Sequence, residues 1–141
     1  MAYDSQNIFA RILRGELPCH KVYEDEHTLV FMDIMPQTDG HTLVIPREPA
    51  ETIFELSEVA LHACMTTARS VGEALKKVFE VEGIAIAQLN GADSGQTVPH
   101  VHFHVMPGNM MKNLKKPHAT NLEDREKLAD YARKISAALA N

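Results

Sequence analysis

Histidine and apolar residues alternate without interruption from His100 to Val105, and this run constrains the fold more than any other part of the sequence. Successive side chains of a β-strand point to opposite faces, with same-face neighbours about 6.6–7 Å apart at their Cα atoms. The run therefore predicts a strand, within Pro99–Met106, that presents three imidazoles on one face. The apolar residues on the other face anchor it in the core. Three rings at this spacing can serve one ligand.

Periodic apolar residues on either side of this strand predict a single mixed domain over residues 1–141. Further strands are expected at Lys21–Glu24, Leu29–Ile34, Thr42–Ile45 and Ile84–Leu89. Helices are expected after the cap Asn7 as far as Gly15, over Ser57–Gly83, and after a capping box formed by Thr120 and Glu123. This order indicates an α+β fold, with an antiparallel sheet of about five strands, one long helix, a short N-terminal helix and a C-terminal helix.

Charge and cysteine usage narrow the possible partners and location. The formal net charge of −5 argues against a general electrostatic affinity for nucleic acid. Cys19 and Cys64 lie far apart and form no C-x-x-C pair, which favours a reducing compartment. The N-terminus has no basic signal segment, and no apolar run approaches the roughly 18 residues that a membrane span needs. We therefore expect a cytoplasmic protein that binds neither nucleic acid nor membrane.

Three chemistries could use the three histidines. They could bind Zn²⁺, although Asp93 is the only acid between Asn90 and Lys116 that could orient a ligating ring. Alternatively, the central ring, His102, could attack phosphorus as a neutral nucleophile and form a covalent intermediate. Backbone amides of the preceding loop, near Gly95, could then receive the phosphate oxygens. A binding module without turnover is the third possibility.

At these residues the sequence resembles the histidine triad (HIT) superfamily, whose signature is His-φ-His-φ-His-φ-φ with φ hydrophobic. The segment from His100 to Met106 matches this signature in full. Further matches extend the resemblance over nearly the whole chain up to about Pro107: Ile8-Phe9-x-x-Ile12, Tyr23-Glu24-Asp25, Asp33-Ile34-x-Pro36, the segment Gly40–Pro46, Asn90 and the segment Gly95–Val98. The triad core thus spans about residues 5–107, and residues 108–141 form a C-terminal extension.

The resemblance implies hydrolysis at the α-phosphorus of a nucleotide, with a role for each matching residue. His102 is the expected nucleophile, which becomes nucleotidylated. His104 is expected to contact the phosphate oxygens, while His100 and a fourth histidine, His41, support the array. Asp33 is expected to bind the ribose hydroxyls. The loop residues expected near the α-phosphate and the leaving group are Asn90, Gly95, Gln96 and Thr97. The residues expected to form an apolar slot for the base, hereafter the base slot, are Ile8, Phe9, Ile12, Leu17, Phe31 and Ile34.

The third triad position separates the branches of the superfamily. The branch resembling galactose-1-phosphate uridylyltransferase has Gln there, so His104 favours hydrolysis over transfer. The short chain and its N-terminal segment around Phe9 resemble the nucleotide-binding, phosphoramidase-like branch, which implies purine nucleoside 5′-phosphoramidates as substrates and no cofactor. A dinucleoside polyphosphate hydrolase is an alternative, because Gly95–Val98 equally resembles that branch. A nucleotide-binding or scaffolding protein with vestigial activity, and a metallohydrolase, also remain open.

Other features of the chain differ from its relatives or concern its assembly. Ala10 and Leu13 stand where some relatives carry zinc-binding cysteines, so we predict no structural zinc and no catalytic metal. The C-terminal extension, with Lys112, Lys115 and Lys116, does not match the short ending of the phosphoramidase-like branch; a solvated face is the expectation for these lysines. The resemblance implies a homodimer, which would bury the apolar stripe of the long helix.

Overall fold

The computed structural model describes residues 2–113 and 122–140 and contains one five-stranded antiparallel sheet. In chain order the strands are β1 (Lys21–Glu24), β2 (Thr28–Met32), β3 (Thr42–Pro46), β4 (Ile84–Gln88) and β5 (Phe103–Pro107). Their spatial order is β1-β2-β3-β5-β4. The helices are α1 (Ile8–Leu13), α2 (Glu58–Phe79), α3 (Met110–Asn113) and α4 (Arg125–Ala140), with one 3₁₀ turn at Ala92–Ser94. The predicted α+β class is confirmed.

Alternation along the strands divides the buried residues between two faces of the sheet. On one face, Val30 and Val44 pack with the buried side of α2 and with Leu128 and Ile135 of α4. On the other face a smaller cluster contains Phe9 of α1 together with Leu29, Phe31, Leu43 and Ile45. The larger cluster provides most of the core, and the smaller one borders the histidines.

Helix α2 begins as predicted but ends earlier than Gly83. The Ser57 hydroxyl accepts a hydrogen bond from the backbone N–H of Ala60 at 3.1 Å and so caps the first turn. At the other end Glu80 adopts a left-handed conformation, with φ of 53°, and its N–H still bonds to the carbonyl of Lys76. This conformation stops the helix at Phe79. Asn7 caps α1 through its side chain, as predicted, and Gly15 follows with φ of 79°.

The predicted start of the C-terminal helix is wrong in the part of the chain that the structure describes. The helix begins at Arg125, because the N–H of Glu123, which a capping box would use, donates instead to the carbonyl of Ile34 at 2.9 Å. Thr120, Lys115 and Lys116 lie outside the described residues, and Lys112 is exposed. Helix α4 packs against α2 and covers much of its apolar stripe within one chain, while Met65 of the stripe is 44% exposed.

The histidine strand is shorter than predicted. Hydrogen-bonded pairing starts at Phe103, whereas the segment from Pro99 to His102 is irregular. The N–H of Val101 donates to the carbonyl of Ala50 in the loop after β3, at 2.9 Å, rather than to a neighbouring strand. The alternation between faces survives this irregularity, because Val101, Phe103 and Val105 all lie in the larger cluster.

Within residues 2–113 and 122–140, none of the helices combines the length and apolar character that crossing a membrane requires.

Candidate active site

The three histidine rings lie on the face of the strand opposite the larger cluster, as the alternation predicts. His100 and His102 are buried, with 0% and 4% exposure, and His104 is half-buried. The rings of His102 and His104 meet edge to face with centroids 4.9 Å apart. Phe9 of α1 contacts the ring of His102 in the same geometry at 5.0 Å. Helix α1, strand β5 and the segment just before β5 therefore place an apolar ring and two imidazoles side by side.

The protonation of His102 follows from a backbone contact. Its Nδ1 lies 2.7 Å from the carbonyl oxygen of His100, which can only accept a hydrogen bond. Nδ1 therefore carries the proton, and the lone pair of the neutral ring is on Nε2. Burial lowers the pKa of His102 from its usual value of about 6.5, which keeps the ring neutral at pH 7. His102 thus has an available nucleophilic nitrogen.

The tautomers of His41 and His104 follow from a second backbone group. The N–H of Gln37 donates to Nδ1 of His41 at 3.0 Å, so neutral His41 carries its proton on Nε2. That Nε2–H lies 2.9 Å from Nδ1 of His104 and donates to it. The proton of neutral His104 is then on Nε2. Burial lowers the pKa of His41 to about 3 and that of His104 to about 4, so both rings are neutral donors near pH 7.

His100 is held at both ring nitrogens. Its Nε2–H donates to the carbonyl of Pro46 at 2.8 Å, so its Nδ1 accepts from the hydroxyl of Tyr3 at 2.6 Å. Burial lowers the pKa of His100 to about 4. Tyr3 was not predicted to belong to the site. It stands in a polar N-terminal run without a recognisable pattern, and its partner is 97 residues away in sequence.

Asp33, the residue after the end of β2, lies beside His41 and His104. One carboxylate oxygen accepts the N–H of Met35 at 2.8 Å, and the other lies 3.4 Å from Nε2 of His41. Burial raises the pKa of Asp33 to about 6. Asp33, His41 and His104 bring three possible metal-ligand atoms within 4.8 Å of one another. Two imidazoles and a carboxylate are a donor set that Zn²⁺ accepts, but a proton occupies the short contact between the two rings.

Two of the predicted loop residues use their amides to brace the loop. Gln96 is buried; its Oε1 accepts from the N–H of Gly91 at 2.6 Å, and its Nε2 donates to the carbonyls of Glu51 and Val98. Asn90 accepts from the N–H of Ile53 at 2.9 Å and exchanges hydrogen bonds with Gln88. These amides therefore hold the loop from Asn90 to Thr97 in shape. Gly95 has φ of 106°, in the left-handed region, and Thr97 is exposed.

The residues of the predicted base slot are only partly together. Phe9 and Phe31 meet edge to face at 5.4 Å in the smaller cluster, and Ile12 packs against that cluster. Ile8 and Ile34 are 53% and 50% exposed, and Leu17 is half-buried. An apolar floor beside exposed aliphatic side chains is suited to a flat, mostly apolar ligand surface.

Comparisons with known proteins show which families and folds this chain is similar to. A family model described as the HIT domain matches residues 14–111. A solved Hit-like protein from Bartonella henselae, described as involved in cell-cycle regulation, is 40% identical with a TM-score of 0.91, covering 98% of this chain and 99% of that one. An adenosine 5′-monophosphoramidase from Schizosaccharomyces pombe is 38% identical over 71% of this chain and 72% of the relative. An adenylylsulfatase from Arabidopsis thaliana is 33% identical over 71% of this chain and 51% of the relative.

Proposed function

Since this chain belongs to the HIT family of nucleotide hydrolases, we propose that it hydrolyses purine nucleoside 5′-phosphoramidates, or related conjugates of a nucleoside monophosphate, at the α-phosphorus. The reaction passes through a nucleotidyl-histidine intermediate on His102 and releases the nucleoside monophosphate. One observation carries the proposal. The proton of His102 is committed to the carbonyl of His100, which leaves the Nε2 lone pair of a neutral, buried ring for attack.

The reaction is a double displacement. The Nε2 lone pair of His102 forms a bond to phosphorus while the bond from phosphorus to the leaving nitrogen breaks, and the leaving nitrogen takes that electron pair. One proton is taken up and ends on the departing amine. Water then attacks the same phosphorus, the N–P bond breaks back to His102, and one proton is released. No oxidant, reductant or cofactor is needed to balance these steps.

His104 stabilises the first displacement. Its Nε2–H is the donor of the neutral ring and bonds to no acceptor within residues 2–113 and 122–140, because its Nδ1 is the nitrogen that accepts from His41. The ring lies edge to face with His102, with centroids 4.9 Å apart, so this donor can reach an atom bound to the phosphorus that His102 attacks. A preorganised donor aimed at developing charge is among the largest contributions to such catalysis.

The substrate class rests on the residues around the rings. Asp33 is mostly ionised at pH 7, with its pKa near 6, and a carboxylate is a suitable acceptor for ribose hydroxyls. The aromatic pair Phe9 and Phe31, with the exposed Ile8 and Ile34, offers an apolar surface for a purine. The monophosphoramidase relative from S. pombe supports nitrogen as the leaving atom.

Other leaving groups are compatible with the same attack. Attack by His102 on an adenylyl sulfate, the substrate class that the name of the adenylylsulfatase relative indicates, or on a dinucleoside polyphosphate would differ from our proposal only in what leaves phosphorus. A metal-dependent reaction is a second candidate, because Asp33, His41 and His104 could together hold a divalent cation.

The decisive experiment measures AMP release by the purified protein from adenosine 5′-phosphoramidate in excess EDTA. Parallel reactions contain adenosine 5′-phosphosulfate or a diadenosine polyphosphate. The expected result is turnover of the phosphoramidate with the highest kcat/KM, and an adenylylated His102 found by mass spectrometry after rapid acid quenching. Preference for another substrate would move the assignment to that branch. AMP binding without any turnover would indicate a binding protein, and activity only without chelator would indicate a metal.

We also propose that the chain forms a twofold dimer through β4. This strand ends the sheet, and among the described residues it pairs with β5 alone. It carries no charged residue, and Ile86 is 43% exposed. An uncharged apolar edge is prone to pair with another strand. Light scattering at micromolar concentration should give twice the chain mass, and Ile86→Lys should reduce it. Tyr23→Lys on β1, at the opposite edge, is the control; a wild-type mass of one chain would refute the dimer.

A further inference from the structure

We propose that the C-terminal extension positions the catalytic turn between β2 and β3, and that through His41 it maintains the donor proton on His104. The turn comprises residues 33–41 and is hereafter called the catalytic turn. The contacts that hold it come from Glu123, two residues before α4, from Lys127 in the first turn of α4, and from Tyr131, which acts through Phe79. This inference rests on the proposed function, because it assigns the extension a role in the same reaction.

The catalytic turn sets the tautomer of His41 through its own backbone. Its ends are joined by the N–H of Asp33, which donates to the carbonyl of His41 at 3.0 Å. Near its middle, the N–H of Gln37 donates to Nδ1 of His41. The proton of His41 stays on Nε2, facing His104, only while Gln37 keeps this position. A shift of the turn apex would therefore change the direction of the hydrogen bond between His41 and His104.

The extension holds the turn on both sides of Gln37. Before it, the carbonyl of Ile34 accepts the N–H of Glu123 at 2.9 Å. After it, Asp39 accepts from Nζ of Lys127 at 3.1 Å, and the same ammonium group contacts Glu123 at 3.2 Å. Lys127 thus joins the two attachment points. These carboxylates raise the pKa of the Lys127 ammonium, so the group is charged at neutral pH.

Aromatic packing also supports the end of the catalytic turn, at Gly40. Gly40, immediately before His41, has φ of +86°, and a Cβ placed on it would lie 2.6 Å from Cε2 of Phe79. The Phe79 ring therefore lies directly against the backbone of the turn. Tyr131 of α4 packs edge to face on that ring with centroids 5.1 Å apart. The last turn of α2 is thereby held between the extension and the catalytic turn.

The effect of Lys127 should appear in catalysis more than in overall stability. The Lys127 and Asp39 side chains are 39% and 51% exposed, and exposed ion pairs contribute little to folding. Catalysis depends on the position of the catalytic turn, because a turn that relaxes away from His41 allows this ring to carry its proton on Nδ1. His104 would then carry its own proton on Nδ1 and offer a lone pair, rather than a donor, to the leaving atom.

The test uses two aryl esters of AMP with the full-length protein. Phenol is a poor leaving group that needs the His104 donor, whereas p-nitrophenol leaves readily without it. For Lys127→Met and Asp39→Asn we expect kcat for the phenyl ester to fall about two- to fivefold, the upper range for an exposed pair, with kcat for the p-nitrophenyl ester and KM nearly unchanged. The double variant should be no worse than Lys127→Met, because that change already removes the contact with Asp39.

Lys134→Met is the matched control. Lys134 lies on the same helix and pairs with Asp130 at 3.0 Å, so its loss removes the same charge without touching the catalytic turn. It should behave as wild type on both esters. An equal loss on the two esters in Lys127→Met, or no loss on either, would overturn the proposal, because a general structural defect does not distinguish leaving groups.

Imidazole ¹⁵N spectra test the tautomers of His41 and His104 independently of turnover. In the wild-type protein, His41 and His104 should both appear as Nε2–H tautomers, and in Lys127→Met a fraction of His41 should shift to Nδ1–H. Unchanged spectra would refute the positioning role. If the wild-type protein releases no AMP from any substrate, the proposed function fails, whereas the spectra still answer whether the extension sets the tautomer.

Discussion

The two faces of the sheet differ in what covers them. On one face, α2 and α4 enclose a continuous apolar cluster that includes Val101, Phe103 and Val105. On the other, the short helix α1 contributes Phe9 to a smaller cluster, and the space beside it holds imidazoles in place of aliphatic side chains. One stretch of chain, β5 and the irregular segment just before it, therefore supplies alternate residues to a core and to a reactive site.

This difference separates stability from chemistry along one stretch of chain. A buried valine stabilises through the apolar area that it removes from water and through close packing. A buried histidine stabilises only when both ring nitrogens find partners, and each partner also selects a tautomer. The histidine face is therefore the place where hydrogen bonds, rather than packing volume, decide function. Changes on the two faces should have different consequences.

The largest expected effect is on activity, from His102→Ala on the histidine face. Removal of the nucleophile should lower kcat by at least about a thousandfold, since no other ring can form the covalent intermediate. AMP binding, measured by calorimetry, should remain within a few fold of wild type. His62→Ala, a change of the same type at an exposed position on α2, is the control. Retained turnover in His102→Ala would contradict the assignment of the nucleophile.

On the opposite face, Val105→Ala should affect stability instead. Val105 is fully buried beneath α2, so the cavity left by two methyl groups should lower the free energy of unfolding by about 2 kcal/mol. Urea denaturation measures this loss, and kcat per folded molecule should change less than twofold. Val59→Ala, at a position 62% exposed, should change neither quantity. A large loss of kcat in Val105→Ala with normal stability would contradict the assignment of stability to one face and chemistry to the other.

Acid should destabilise the histidine face. The pKa of His41 is lowered to about 3, and those of His100 and His104 to about 4, against about 6.5 in the unfolded chain. Between these values the unfolded chain binds more protons, so stability is fully present above about pH 6.5 and decreases as the pH falls toward 4. Asp33 acts in the opposite direction: its pKa is raised to about 6, so its contribution is present at low pH and is lost as the pH rises through 6.

Three rings outweigh one carboxyl, so the net free energy of unfolding should fall by roughly 1–2 kcal/mol per buried ring from pH 7 to 5, less the opposing contribution of Asp33. Urea titrations at the two pH values measure this difference. A protein equally stable at both pH values would show that the rings titrate normally when folded.

The smallest of the effects that separate the two faces concerns Tyr3. Tyr3→Phe removes the hydroxyl that donates to Nδ1 of His100, and it should lower kcat about three- to tenfold with KM unchanged, because the carbonyl that orients His102 belongs to His100. It should also raise the pH at which the acid limb of kcat/KM appears, since the neutral form of His100 loses a hydrogen bond. Tyr23→Phe, which removes a surface hydroxyl bonded to Asp25, is the control. An unchanged pH profile would leave Tyr3 with a packing role alone.

Local patterns predicted the regular elements well. All five strands and the helices α1, α2 and α4 follow from apolar periodicity, which depends only on neighbouring residues. The errors lie where a distant group intervenes. The segment from Pro99 to His102 leaves the sheet because Val101 bonds to Ala50, and α4 starts late because Glu123 bonds to Ile34. Neither partner could be inferred from the local sequence.

The order of residues along the chain settles which of them share a face, and hence that His100, His102 and His104 lie together opposite an apolar surface. It also carries the triad signature that identifies the family. The protonated nitrogens of His102 and His41 are set by groups close in sequence, the carbonyl of His100 and the N–H of Gln37. Those of His100 and His104 depend on partners that the tertiary fold brings in: Tyr3 and Pro46 for His100, and His41 for His104, which are separated by 97, 54 and 63 residues. Alternation is a property of the local backbone, whereas a tautomer depends on whichever donor or acceptor the fold brings within about 3 Å.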